Sequence, residues 1–199
     1  MKKTLIAALL TLGAISAQAA SPVYTLDASA STLVAAALKN ETKTVEVKFP
    51  VLSGSLDLGS GKASVSADLK GLVTGDPARD ANVQNLFFEV AKKASFGTAT
   101  FSWKGKAADL KALKAGESKA VTLSGSLSLH GHKTPLSGPA KLSLLADGSY
   151  KASFSDWVVD ISKTQLGAPL AAMNKICPQP HRVANEVKLR GELVFKKPS

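Results

Sequence analysis

The sequence has one cysteine, Cys177, in 199 residues. No disulfide can therefore form within the chain, and its stability must come from an apolar core. Catalytic motifs are equally scarce: no serine–histidine–acid order, pair of catalytic carboxylates or glycine-rich phosphate loop stands out. Long apolar runs are also lacking, because the longest, Leu5 to Ile15, is shorter than the roughly 20 residues that a membrane-spanning helix needs. These absences favour a non-catalytic protein without a transmembrane helix.

The N-terminus has the features of an export signal. Lys2 and Lys3 precede the apolar run, and Ala17-Gln18-Ala19 fits the small-x-small pattern of a cleavage site. We therefore predict a secretory signal peptide over residues 1–19 and a periplasmic or secreted mature protein. Residues 20–199 are enough for one domain with a sizeable core.

The charge is strongly positive, at +10, and removal of Lys2 and Lys3 with the signal peptide leaves +8. An exported chain rarely meets nucleic acid, and the lysines are spread along the sequence. The excess therefore favours solubility, with an attraction to anionic membrane surfaces as a second interpretation.

Apolar residues recur at every second position along most of the chain, which is the period of a half-buried strand. Clear examples are Val45, Val47 and Phe49 before Pro50, and Leu123, Leu127 and Leu129 against serines. The Tyr24 to Leu38 segment forms the first strand in this interpretation. Short turns such as Gly59-Ser60-Gly61 and Asp147-Gly148 separate the runs. About eight antiparallel strands result, which can close as a barrel or pack as a sandwich.

Two segments have helical spacing instead. In the first, Asp76 is a good N-cap, Pro77 suits the first helical position, and apolar residues follow from Val83 to Val90. This segment should lie across the barrel. The second runs from about Gln165 to Ile176 and is interrupted by Pro169. A short piece near Asp109 to Leu113 is a third helix or only a turn.

The chain resembles the YceI-like proteins, which are exported, lipocalin-like barrels associated with polyisoprenoid binding. The motifs that carry the resemblance are Tyr24-Thr-Leu-Asp27 with Ser31, Arg79-Asp80, Phe87-Phe88, Phe96 with Phe101, and Leu123-Ser-Gly-Ser-Leu127-Ser-Leu129-His130-Gly131 followed by Lys133-Thr134-Pro135. The resemblance implies an all-β, antiparallel eight-stranded lipocalin-like β-barrel with one or two short helices. It also implies that a polyisoprenoid or other long apolar lipid lies inside the barrel, with its polar end near the mouth.

Candidate ligand-binding residues come from the inward-facing set of the strands. They are Val45, Val47, Leu69, Phe101, Trp103, Leu127, Leu129, Phe154 and Phe195. The alternative for each is an ordinary place in a packed core. Arg79 and Lys92 are candidates for binding a headgroup, and their alternative is a solvated charge near a helix end.

The histidines and the cysteine are the candidates for metal or redox chemistry. His130 and His132 would share one face if the strand continued through Gly131, and Cys177 with His181 could complete a site. Unrelated surface histidines and a buried Cys177 are the alternative, and we expect no metal or cofactor.

The sequence thus predicts a non-catalytic envelope protein that binds or carries an isoprenoid lipid or similar apolar ligand. The alternative is a protein-interaction or stress-response module with a filled core, whose outer face of serine, threonine and lysine is the working surface.

Overall fold

Antiparallel strands dominate the computed structural model, which describes residues 21–50, 52–176 and 182–197. The strands of these ranges are β1 (Val23–Leu26), β2 (Thr32–Lys39), β3 (Lys43–Lys48), β4 (Leu52–Asp57), β5 (Lys62–Asp68), β6 (Thr98–Lys104), β7 (Ser118–Leu129), β8 (His132–Leu144), β9 (Tyr150–Asp160) and β10 (Val183–Lys196). The helices are α1 (Pro77–Asn82), α2 (Ala107–Lys111) and α3 (Gly167–Ile176), with a π-helical turn at Val83–Phe87. The predicted signal peptide, residues 1–19, lies outside the described residues.

Eight strands close into a barrel in the order β1–β4–β5–β6–β7–β8–β9–β10, and β10 pairs back with β1. At the closure, Thr25 lies opposite Lys196 and Leu26 opposite Phe195. The predicted eight-stranded antiparallel barrel is therefore confirmed, and the sandwich is excluded. Strand β2 pairs with β10 over Val183–Glu192, before the stretch that pairs with β1, and β3 pairs with β2.

The front segment is two strands, whereas the sequence predicted one. The turn Ala28–Ala30 separates β1 from β2, and the Asp27 carboxylate accepts hydrogen bonds from the backbone N–H groups of Ser29 and Ala30. Lys196 lies 2.5 Å from the same carboxylate, and this contact holds the pKa of Asp27 well below its ordinary value. The turn allows β1 and β2 to pair with different stretches of β10.

The predicted break at Pro50 is confirmed, since β3 ends at Lys48 and β4 begins at Leu52. Of β3 and β4, only β4 pairs with β5, so the wall is open between β3 and β5 within the described residues. Within the described ranges, Lys48 and Val73 make the one bridge on this side of β3. The cover segment, residues 77–88, lies beside this opening and comprises α1 and the turn that follows it.

The end of the barrel opposite the cover segment is closed by α2. Its Leu110 is almost fully buried, and the Tyr150 hydroxyl donates a hydrogen bond to the Leu110 carbonyl at 3.3 Å. Tyr24 packs edge-on against Tyr150 with ring centroids 5.1 Å apart. Burial among these groups raises the pKa of Tyr150. Leu110, Tyr24 and Tyr150 therefore pack together at this end of the barrel.

Helix α3 begins at Gly167, two residues after the predicted start. Pro169 lies in its first turn, where a backbone N–H has no partner within the helix, so the proline does not interrupt it. The piece near Asp109 to Leu113, for which a helix and a turn were both open, is a short helix, α2, over Ala107–Lys111. None of the helices in the described ranges is long and apolar enough to cross a membrane.

Strands β8 and β9 pair only over Lys141–Leu144 and Tyr150–Ser153. Beyond that point the indole N–H of Trp157 donates to the Pro139 carbonyl at 2.7 Å. Trp157 lies directly over Gly138, where any Cβ would come within 2.3 Å of the indole. A side chain therefore joins the two strands where the ladder is absent.

Candidate ligand-binding cavity

The barrel contains an apolar cavity of about 510 Å³ at the end covered by α1 and α3. This volume lies in the range typical of small-molecule sites. Its apolar walls come from the strands β2, β3, β5, β6, β7, β9 and β10 with their neighbouring turns, and from the cover segment and α3. They include Leu33, Ala35, Ala37, Val45, Val47, Phe49, Val83, Leu86, Phe87, Phe88, Leu166, Leu170, Met173, Val187 and Leu189.

A second cavity of about 110 Å³ lies deeper in the barrel. Its wall is aromatic, with Phe154 and Trp157 rings 4.6 Å apart and Phe101 edge-on to Trp157 at 5.5 Å. Five residues contribute to the walls of both cavities: Leu33, Ala67, Ala99, Leu127 and Leu189. The two spaces therefore lie end to end along the barrel.

The mouth of the larger cavity is identified by exposure and polarity. The exposed residues of its wall are Ala78, Asn82 and Ile176, all on α1 or at the end of α3. The polar residues of the wall, Lys39, Asp76, Arg79, Asn82 and Asn174, lie on the same elements or at the end of β2. The site is thus an apolar chamber with polar groups at one opening, suited to a long apolar molecule with a polar end.

The local sequence of the cover segment determines where α1 begins and which side chains line the chamber. Asp76 caps α1 by accepting hydrogen bonds from the backbone of Ala78 and Arg79. The π-helical turn then brings the adjacent rings of Phe87 and Phe88, 4.7 Å apart, into the same wall.

Three polar contacts fasten the cover segment to the barrel. Asp80 accepts two hydrogen bonds of 2.6 Å from Thr74, and the Gln84 amide donates to the Lys70 carbonyl at 2.9 Å. Just beyond the segment, Glu89 contacts both Lys92 and His130. The hydrogen bond from Lys92, with the positive charges nearby, lowers the pKa of Glu89 below its ordinary value.

All nine predicted ligand-binding residues line one of the two cavities. Val45, Val47, Leu69 and Leu129 line the larger, Phe101, Trp103, Phe154 and Phe195 line the smaller, and Leu127 lines both. Their contact with a ligand stays a prediction.

The two candidates for a headgroup contact are separated by the fold. Arg79 lines the mouth, where its guanidinium lies 3.3 Å from the Asp76 carboxylate. Lys92 lines neither cavity, is largely exposed and contacts Glu89. Only Arg79 is therefore placed to reach a ligand in the chamber.

His130 and His132 do not share a strand face. β7 ends at Leu129, and His130 and Gly131 both have positive φ, as in the two-residue turns that join antiparallel strands. His130 is nearly buried, whereas His132 is exposed. Cys177 and His181 lie outside the described residues, and within those residues no cluster of three His, Cys, Asp or Glu side chains could hold a metal.

Sequence reasoning missed two parts of the cavity wall. Ala35 and Ala37 alternate along β2 with Leu33, but small residues give a weak strand signal. Leu166, Leu170 and Met173 have helical spacing and line the cavity, but nothing in that spacing indicates what they face.

Comparisons with known structures agree with this architecture. A polyisoprenoid binding domain from Saccharophagus degradans implicated in plant cell wall breakdown is 23% identical, with 89% of this chain and 100% of that chain covered and a TM-score of 0.80. BcnA of Burkholderia cenocepacia is 18% identical, with 85% and 98% covered and a TM-score of 0.64. A Campylobacter jejuni YceI protein is 17% identical, with 79% and 86% covered and a TM-score of 0.54. At these identities the likeness shows a shared fold.

The family assignment depends on sequence. No curated protein matches the chain significantly. The family model of the YceI-like domain, however, matches residues 24–195, which is most of the chain and all of the barrel except the ends of β1 and β10. The chain therefore belongs to the YceI-like family.

Proposed function

We propose that this protein binds a polyisoprenoid or another long apolar lipid inside its barrel and carries it between a membrane and the aqueous envelope. The observation that carries the proposal is the apolar chamber of about 510 Å³ with its polar groups confined to the mouth. Each methylene group moved from water into such a chamber contributes about 0.8 kcal/mol, so a prenyl tail can bind tightly without polar contacts.

The arrangement of the two cavities supports a long ligand. A tail that fills the larger chamber can continue toward the aromatic wall of the smaller one, because five residues border both. The polar end would then lie at the mouth near Lys39, Arg79 and Asn82. The description of the Saccharophagus degradans domain as polyisoprenoid binding supports the same ligand class.

The proposal also states that the protein works outside the cytoplasm and that it is not an enzyme. Residues 1–19 have the pattern of a signal peptide, which supports a periplasmic or secreted barrel over residues 20–199. The alternative of an interaction module requires a filled core, whereas the chamber occupies the interior of this barrel.

The test is native mass spectrometry of the mature protein purified from its own envelope, followed by organic extraction. We expect one long prenyl or similar apolar species per chain. A protein that is empty when purified and also rejects added isoprenoid alcohols would contradict the proposal and favour the interaction module.

A further inference from the structure

The surface around the cavity mouth has an unusual share of exposed apolar side chains. Among the described residues, five large apolar side chains are exposed, and three of them are Leu38 on β2, Val73 shortly before α1 and Ile176 at the end of α3. Ile176, at the end of α3, is 66% exposed and also lines the chamber. Ile176 therefore links the apolar interior to the surface.

Cations surround this surface. Lys39 and Lys43 lie directly opposite each other where β2 and β3 meet. Arg182 is joined to the same turn, since its backbone N–H donates to the Asn40 side chain at 2.7 Å. Lys175 lies next to Ile176, and Asn174 ties this helix end to Val183 by two hydrogen bonds. We call Lys39, Lys43, Lys175, Arg182 and Ile176 the mouth rim.

The positive charge of the mouth rim is not neutralised within the described part of the chain. Its four cations form no ion pair there, and the opposed Lys39 and Lys43 repel each other. Carboxylates on neighbouring segments are Glu41 in the β2–β3 turn, Glu186 on β10, and Asp76, which is paired with Arg79. The mouth rim is therefore suited to a surface of negative charge.

We propose that the mouth rim docks on an anionic lipid bilayer, with Ile176 inserted between headgroups and the four cations over lipid phosphates. Basic residues near anionic leaflets and apolar side chains at the headgroup boundary are the two contributions that hold peripheral proteins on membranes. The inference deepens the proposed function, because it names the surface from which a lipid enters the chamber.

The test is sedimentation of the purified mature protein with vesicles. We expect binding to vesicles of phosphatidylcholine and phosphatidylglycerol in equal parts, weakened by salt, and none to phosphatidylcholine alone. Each basic residue near such a surface contributes about fivefold, so the double variant Lys175→Gln/Arg182→Gln should bind roughly 30-fold more weakly. Ile176→Ser should also weaken binding to the same vesicles. The size of this loss should depend less on salt concentration, because the substitution removes an apolar contact and no charge.

The matched control is Lys106→Gln/Lys114→Gln, which removes two exposed lysines at α2, the opposite end of the barrel. It should bind nearly as the unaltered protein does. Equal losses in both double variants would overturn the inference, because they would indicate attraction by net charge alone. Failure to sediment with anionic vesicles by a protein that still yields extracted lipid would overturn docking and leave the proposed function intact.

Discussion

The imidazole Nε2 of His130 lies 3.1 Å from Oε2 of Glu89, so the β7–β8 turn is joined to the residue that follows the cover segment. Both residues have positive φ, 53° and 52°. The His130 ring also stacks on Phe96 with centroids 3.6 Å apart. Phe88 and Leu129, their immediate neighbours, both line the chamber. The contact therefore holds together two parts of the cavity wall.

Replacement of His130 should destabilise the protein. His130→Asn keeps a residue that tolerates positive φ, so the loss reports on the imidazole and its contacts. A lost hydrogen bond to a charged group together with a lost ring stack predicts about 2 kcal/mol in the free energy of unfolding, measured by urea denaturation. His132→Asn, at an exposed site, is the control and should change stability by less than about 0.5 kcal/mol. If the two variants lost the same free energy of unfolding, the contact between His130 and Glu89 would contribute little to stability.

The contribution of Glu89 should depend on pH. Its pKa is lowered in the folded protein, chiefly by the hydrogen bond from Lys92, so the ionised form stabilises the fold. That stability is fully present above the unfolded pKa of about 4.5 and is lost as the pH falls through the folded pKa.

Unfolding curves measured between neutral pH and acid should therefore separate the unaltered protein from Glu89→Gln. Their difference in unfolding free energy should be constant above about pH 5 and shrink below it. Glu186→Gln, which removes an exposed carboxylate from β10, controls for the loss of one charge. A difference that did not change in acid would argue against a stabilising carboxylate at this position.

Filling the chamber should weaken binding of the proposed lipid. Ala37 faces the cavity and Ala36 does not, so Ala37→Phe and Ala36→Phe form a matched pair on β2. A phenylalanine takes the room of about four methylene groups, and at about 0.8 kcal/mol each the proposed lipid should bind roughly 200-fold more weakly to Ala37→Phe. Extraction and mass spectrometry of both variants check this result. Loss of lipid from Ala36→Phe as well would show that the effect is not local to the chamber.

Arg79 and Lys92 can be compared as headgroup contacts. Arg79 lines the mouth and Lys92 does not, so Arg79→Gln should weaken binding of a polyprenyl phosphate by up to about fivefold, as expected for a half-exposed ion pair. Lys92→Gln should have no such effect. Binding of the uncharged prenyl alcohol, measured by tryptophan fluorescence, should be unchanged in both. A loss of alcohol binding would point to a change in the chamber itself.

A side chain at position 138 should destabilise the protein. A Cβ at this position would meet the Trp157 indole, which must then give up its hydrogen bond to Pro139. Gly138→Ala should cost about 2 kcal/mol of stability and shift the tryptophan emission. Gly167→Ala, where a Cβ makes only ordinary contacts, is the control and should be neutral. Unchanged emission in Gly138→Ala would mean that the strands, and not Trp157, had moved.

The barrel could be predicted from sequence because its strands obey a local period. Residues such as Val45 and Val47 alternate with charges, and Pro50 marks the break between β3 and β4. The split at Asp27 was missed because the carboxylate holds its turn through neighbouring backbone groups, which leave no apolar pattern.

The sequence by itself determined the strand faces, the caps and turns, and the family, because each depends on residues close together in the chain or on motifs in a fixed order. Only the tertiary structure decided that Lys92 lies away from the chamber, that His130 meets Glu89, and that Lys39, Arg79 and Asn174 surround one mouth. These relations join residues far apart in sequence. They arise from the closure of the sheet and from the packing of two helices over its open side, which no local pattern encodes.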